Sequence, residues 1–174
     1  MRGHLTIVAA DEGVGQTNTH MSNDQLSPSR VIRDAREREG IDEHSVAEAA
    51  GLNDNWYLDV ESYGEEVTSN ISLAQLGIIA RMLRLSPFEI LEQTPQPPMQ
   101  HRSLSDLVIR ARQLIDETGE SIDAFSERVG WEMAPVFANP RRMQQYTFDA
   151  LADLCAVLSL DWRELLVDAV ARAG

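Results

Sequence analysis

Four histidines, His4, His20, His44 and His101, and one cysteine, Cys155, are the side chains best suited to hold a metal or attack a substrate. Zinc sites draw their ligands from short Cys/His spacings, and these five residues are scattered along the chain without one. Cys155 falls in the run Phe148, Leu151, Leu154, Cys155, Leu158, one apolar face of a helix, where a thiol behaves as a small hydrophobe. The glycines of "DEGVG", starting at Asp11, lack the spacing and the preceding strand of a phosphate loop. No acid, base and nucleophile come together, so no catalytic residue, no metal and no cofactor is expected, and the chain is read as a non-enzyme.

The chemistry that remains is recognition. Glu43, His44, Asn53, Asp54, Asn55, Trp56 and Asp59 cluster within seventeen residues. A carboxylate can accept from the amino group of cytosine and an Asn can pair with adenine, while an exposed Trp is a common anchor in protein interfaces. Anchoring to phosphate needs cations. The only adjacent Arg pair, Arg141 and Arg142 in "NPRRMQQY" beside Gln144 and Gln145, is where phosphate contact is expected.

The elements that position these residues read as helices. Asp42 is placed to cap a helix ending at Ala50, Gly51 supplies the left-handed turn, and Asn53 caps the next helix. Val46, Ala47, Ala50, Leu52, Tyr57 and Val60 then point inward, and Trp56 outward. Leu73, Leu76, Ile79, Ala80 and Leu83 recur at the spacing of one helix face. Ser72 with Gln75, Ser86 with Glu89 and Asp161 with Glu164 are spaced as capping boxes or their Asp variant. No strand is expected.

Composition bounds the partner. There are 28 acidic and 15 basic side chains, every basic one an Arg, for a net charge of −13. That field repels polyanions at long range. Residues 30–93 hold six Arg against thirteen acids and residues 101–174 eight against twelve, so neither half is basic. Local patches remain open, since Arg30, Arg33, Arg36 and Arg38 recur along one helix, and the acidic set Asp54, Asp59, Glu61, Glu65 and Glu66 reads as a solvated or Arg-seeking face. A single Cys forms no intramolecular disulfide and points to a cytoplasmic setting. No apolar run reaches the roughly 18 residues of a membrane span, so no membrane partner is expected.

Residues 1–27, rich in Gly, Asn, Thr and Ser, read as a flexible arm, and Pro95, Pro97 and Pro98 mark residues 94–101 as a linker. The two blocks this leaves, 28–93 and 102–174, look like copies. Adding 79 carries Gly40, Asp42, Val46, Ala50 and Gly51 onto Gly119, Ser121, Phe125, Val129 and Gly130; adding 75 carries Ser72, Leu73, Leu76 and Ile79 onto Thr147, Phe148, Leu151 and Leu154. A four-residue shortening between the turn and the fourth helix reconciles the offsets, which is the mark of tandem duplication. The first offset sets Asn139 and Pro140 against Val60 and Glu61, and places Pro135 inside the third helix of the second copy.

"VIRDAREREGIDEHSVAEAAGLNDNWYLDVESYG" followed by "ISLAQLGIIARMLRLSPFEIL" resembles the five-helix helix-turn-helix domain of the phage-repressor, Cro and Xre type. The match includes Ile32, Arg33 and Arg36, then Ala47 and Gly51, then Glu61, and the Leu73, Leu76, Ala80, Leu83 pattern. The resemblance implies an all-α fold of two tandem domains, the second degenerate, and a prokaryotic or phage transcriptional regulator. Its implied partner is operator double-stranded DNA, bound as a homodimer or through the paired domains. Such domains usually carry Gln at the start of helix two and polar or basic residues early in helix three; here Glu43 and the Asp54, Asn55, Trp56, Asp59 set stand there instead. The alternative reading is therefore a scaffold whose acidic surface takes a basic protein, in an antitoxin, immunity or anti-repressor role.

Overall fold

The computed structural model describes residues 27–92, 98 and 100–171. The expected arm up to Leu26 and most of the Pro-rich linker lie outside the described residues. Within them the chain is all-α, without a strand. The first half holds α1 (Pro28–Glu39), α2 (Glu43–Ala50), α3 (Asp54–Ser62), α4 (Gly64–Ser69), α5 (Leu73–Met82) and α6 (Pro87–Leu91). The second holds α7 (Leu104–Thr118), α8 (Ile122–Val129), α9 (Ala134–Ala138), a 3₁₀ segment (Pro140–Gln145), α10 (Phe148–Leu158) and α11 (Trp162–Ala169).

Local chemistry sets these boundaries. The Asp42 carboxylate accepts from the Ser45 N–H at 2.8 Å and opens α2. Gly51, at φ 67°, turns the chain out of α2, a conformation that costs an L side chain about 1 kcal/mol or more. Asn53 Oδ1 accepts from the Trp56 N–H at 2.8 Å and opens α3. Each such cap contributes about 1 kcal/mol. The inward set is buried as its spacing predicts: Val46, Ala47, Tyr57 and Val60 are fully covered, and Ala50 and Leu52 nearly so.

The two halves share more than their spacing. Ser121 caps α8 as Asp42 caps α2, and Gly130 repeats the left-handed turn of Gly51. The two non-glycine residues with positive φ among the described residues are Arg84 and Ser159, at 54° and 55°, seventy-five positions apart and each just after the corresponding helix. One difference is an added element: each half has six helical segments rather than five. Tyr63, extended at φ −127°, interrupts the chain after α3 and lets α4 start at Gly64; the 3₁₀ segment is its counterpart.

A second difference corrects the alignment of the two halves. α3 has nine residues and α9 five, so the shortening falls mainly in the third helix itself, and the last missing residue is the counterpart of Ile71, just before the cap of α10. Asn139 and Pro140, which cap and open the 3₁₀ segment, thus stand where Tyr63 and Gly64 stand, not at Val60 and Glu61. Val136 and Phe137 take the latter places, both buried. Pro135 sits in the first turn of α9, where its missing N–H costs nothing.

The halves pack on one another around a single buried cluster that draws Ile32, Val46, Tyr57 and Leu76 from one and Leu107, Phe125, Leu151 and Leu165 from the other. α4 lies on α10, and the 3₁₀ segment lies on α5. Between them Ser72 and Thr147, the N-caps of α5 and α10, face each other in an isolated antiparallel bridge. The Leu73 N–H donates to the Tyr146 carbonyl at 2.8 Å, and Ser69 Oγ donates to the Asp149 carboxylate at 2.6 Å. Gly77 meets the Val170 backbone so closely that an added Cβ would lie 2.3 Å from its carbonyl oxygen.

Candidate binding surface

α1, α2 and α3 are tied together by one buried ion pair. Arg36 Nε donates to Glu61 Oε1 at 2.6 Å and Arg36 Nη2 to Glu61 Oε2 at 2.8 Å, with only 11% and 3% of the two side chains exposed. The same guanidinium reaches the Ile41 carbonyl at 3.2 Å and Glu43 Oε1 at 3.1 Å. Glu61, hydrogen-bonded to it, holds the Arg36 pKa above its ordinary value. Arg33 donates to the Glu61 carbonyl. Glu61 is thus removed from the expected acidic face: a carboxylate on the stripe Tyr57, Val60, Glu61 meets an arginine on the stripe Ile32, Ala35, Arg36. Beside them the Tyr57 hydroxyl is buried without a hydrogen-bond partner, and burial, then Glu61, raise its pKa.

This lock accounts for several of the residues read as site candidates. Glu43 is spent partly on Arg36, and Asn53 on capping α3. His44 Nδ1 bonds Asp54 Oδ1 at 2.9 Å, an exposed pair joining the first turns of α2 and α3. The Asp54 hydrogen bond raises the His44 pKa. Glu43 and Asp54 also sit in helix first turns, where a negative charge is favoured by the helix dipole.

Free of such duties are Asn55, Trp56 and Asp59, all exposed on α3. Trp56 is 40% exposed, and the structure adds two large apolar neighbours that the sequence pattern did not single out, Leu58 at 41% and Tyr63 at 56%. Three of the six exposed large hydrophobics among the described residues therefore lie on α3 or directly after it. Isolated exposed apolar residues are ordinary. Trp56 and Leu58, two positions apart, point to different sides of the helix, and it is Trp56, one helical turn from Asp59, that stands with an acidic neighbour on a single face. The surface has no cation beside it in sequence: between Arg38 and Arg81 stand nine carboxylates and no Arg or Lys.

The arginines that could have formed a basic strip are paired. Arg30 bonds Asp34, Arg33 and Arg36 bond Glu61, and Arg38 bonds Glu39. In the second half Arg110, Arg128 and Arg163 pair with Glu117, Glu120 and Glu92. Arg141 and Arg142 are different: both are exposed, neither forms an ion pair among the described residues, and Arg142 Nη1 donates to Gln145 Oε1 at 3.1 Å. Arg142 lines an open cleft of about 670 Å³ with Glu132, Pro135, Asn139 and Tyr146. Gln144 does not join them; it is buried and donates to the Asp168 and Ala171 carbonyls at 3.2 and 3.0 Å, closing the end of α11. No hydrogen bond or ion pair among the described residues connects this region to α3.

No metal-binding cluster occurs among the described residues, and Cys155 is buried, with its thiol pushed up to about 12 by burial. No helix among them is long and apolar enough to cross a membrane. No protein-family model, curated protein or solved structure matched the chain.

Proposed function

We propose that the chain is a non-catalytic regulatory protein built on a duplicated helix-turn-helix scaffold, and that the outward face of α3 in the first half is its binding surface, fitted to a basic segment of another protein. The observation that carries this reading is the exposed Trp56 one helical turn from Asp59 on α3, in a stretch that also exposes Leu58 and Tyr63 and has no arginine in the forty-two residues around it. Aromatic anchors supply contact area at low entropy cost, and the carboxylates steer a cationic partner and reject a polyanionic one. Duplex DNA asks for the reverse, cations on phosphate flanking the inserted helix, and the arginines of α1 are neutralised by Asp34, Glu39 and Glu61.

The test is capture by the immobilised full chain of the product of the adjacent gene, or of a protein from its native lysate identified by mass. A partner lost on Trp56→Ala or Asp59→Arg, and weakened by salt, supports the reading. A partner held equally by both variants removes α3 from the interface. The operator reading rests on one observation, the exposed Arg141 and Arg142, which form no ion pair among the described residues. Its test is fluorescence anisotropy with the duplex upstream of the protein's own gene at low salt: sequence-selective binding lost on Arg141→Ala/Arg142→Ala would establish it over the protein reading.

A further inference from the structure

We infer that the second half is the chain's own dimerisation partner: a tethered pseudo-subunit that fills the self-association face of the first half and carries no second copy of the α3 binding surface.

The packing between halves has the form of a two-fold interface. In such an interface a contact from residue i to residue j is matched by one from j to i. Here α4 packs on α10, and their counterparts, the 3₁₀ segment and α5, pack on each other. Ser72 and Thr147 correspond to each other and meet each other in an antiparallel bridge, which is where a two-fold axis must pass. An interface formed by two unrelated faces would not pair each element with the counterpart of its partner.

The outer surfaces do not follow that symmetry. The shortened third helix leaves α9 with Ala134 and Ala138 as its exposed residues, whereas α3 presents Trp56 and Leu58. The buried lock is gone as well: Ile115 stands at the place of Arg36 and Phe137 at that of Glu61. The duplicated interface has been kept and the duplicated surface lost. A homodimer would present two equal faces; this chain presents one, on a body whose two-fold face is already occupied. The inference does not depend on what α3 binds.

Two measurements on the full chain test it. Sedimentation equilibrium of the unaltered protein, from micromolar to near-millimolar concentration, is expected to show one species at the chain mass of 19.4 kDa; a dimer would overturn the inference, because the face proposed to drive it is internal. Then Ser72→Cys/Thr147→Cys in a Cys155→Ala background is oxidised. The bridge pattern sets the two Cα atoms about 4.5 Å apart, inside the range a disulfide spans. The expected product is an intrachain disulfide with monomer mobility on a non-reducing gel. A disulfide-linked dimer, or two thiols still free to titrate, would count against the internal pairing.

Discussion

Replacing Glu61 by Leu tests whether the buried pair fixes α3 in place. The substitution leaves the Arg36 guanidinium buried and takes away both carboxylate oxygens, at 2.6 and 2.8 Å. Stranding one member of a buried ion pair costs about 3–5 kcal/mol. Arg36 keeps the Ile41 carbonyl and the half-exposed Glu43 carboxylate, which sets the expectation at the lower end, about 3 kcal/mol. For a chain of this size that corresponds to a fall in Tm of about 6–12 °C. The second half supplies the control, because it holds a partly buried Ile115 and a buried Phe137 in the same two places. Arg36→Ile/Glu61→Phe should therefore lie within about 1 kcal/mol of the parent, while Glu61→Phe alone loses about as much as Glu61→Leu. With Arg36→Ile the cycle then closes on a coupling of about 2 kcal/mol or more. Urea unfolding followed by far-ultraviolet circular dichroism, with unchanged slope, reads both numbers. A loss below about 1 kcal/mol for the single variant, or a double variant as unstable as the sum of its parts, would refute the account.

Tyr57→Phe removes a hydroxyl that has no partner, so stability should hold or rise by up to about 1 kcal/mol; a loss in urea unfolding would reveal a hydrogen bond to Glu61. Gly77→Ala pushes a Cβ into the Val170 carbonyl and should cost about 1–3 kcal/mol by overpacking, seen as a lower thermal midpoint; an unchanged midpoint would mean that the halves slide apart freely. His44 is raised by Asp54, so the pair's contribution is complete below the unfolded pKa of about 6.5 and fades as pH climbs through the higher folded value. Asp54→Asn should lower the His44 midpoint in an NMR titration of its ring protons, and an unmoved midpoint would dismiss the pairing. Cys155, its thiol raised by burial, should resist a thiol reagent in the native protein and react once urea unfolds it; rapid native labelling would place it at the surface.

What could be read from the sequence was what short-range rules determine. Asp42, Gly51 and Asn53 declare the ends of α2 and α3 because a cap and a left-handed turn each involve only a few residues. Periodicity found the covered faces of α5 and α10. It failed on Glu61, because a carboxylate in an acidic protein looks solvated until its partner twenty-five positions away is seen; the available signal was an arginine on the same stripe as Ile32 and Ala35. Leu58 and Tyr63 escaped for the opposite reason, since an apolar residue in an amphipathic helix reads as core. A single offset carried past the turn put Asn139 and Pro140 against the wrong residues, because most of the deletion lies inside the third helix rather than after it. Gly77 was the trace of the interface between halves, a helix-interior glycine that only a close backbone approach explains.

The two halves make each other's requirements visible. Both keep the N-cap before the second helix, the left-handed turn after it and the left-handed residue after the fifth segment, at Arg84 and Ser159. Both keep an arginine of the first helix donating to a carbonyl near the end of the third, Arg33 to Glu61 and Arg112 to Phe137. These are demands of the fold. The length of the third helix, its exposed aromatic side chains and the buried Arg36–Glu61 pair are kept by one half alone, and they occur together. An apolar pair would suffice to pack that position, as Ile115 and Phe137 do. A bidentate ion pair adds direction: it allows one geometry, in which the C-terminal end of α3, the start of α2 and α1 meet at a single guanidinium. The half that must hold a nine-residue helix at a defined angle to present Trp56 is the half that carries the directional lock.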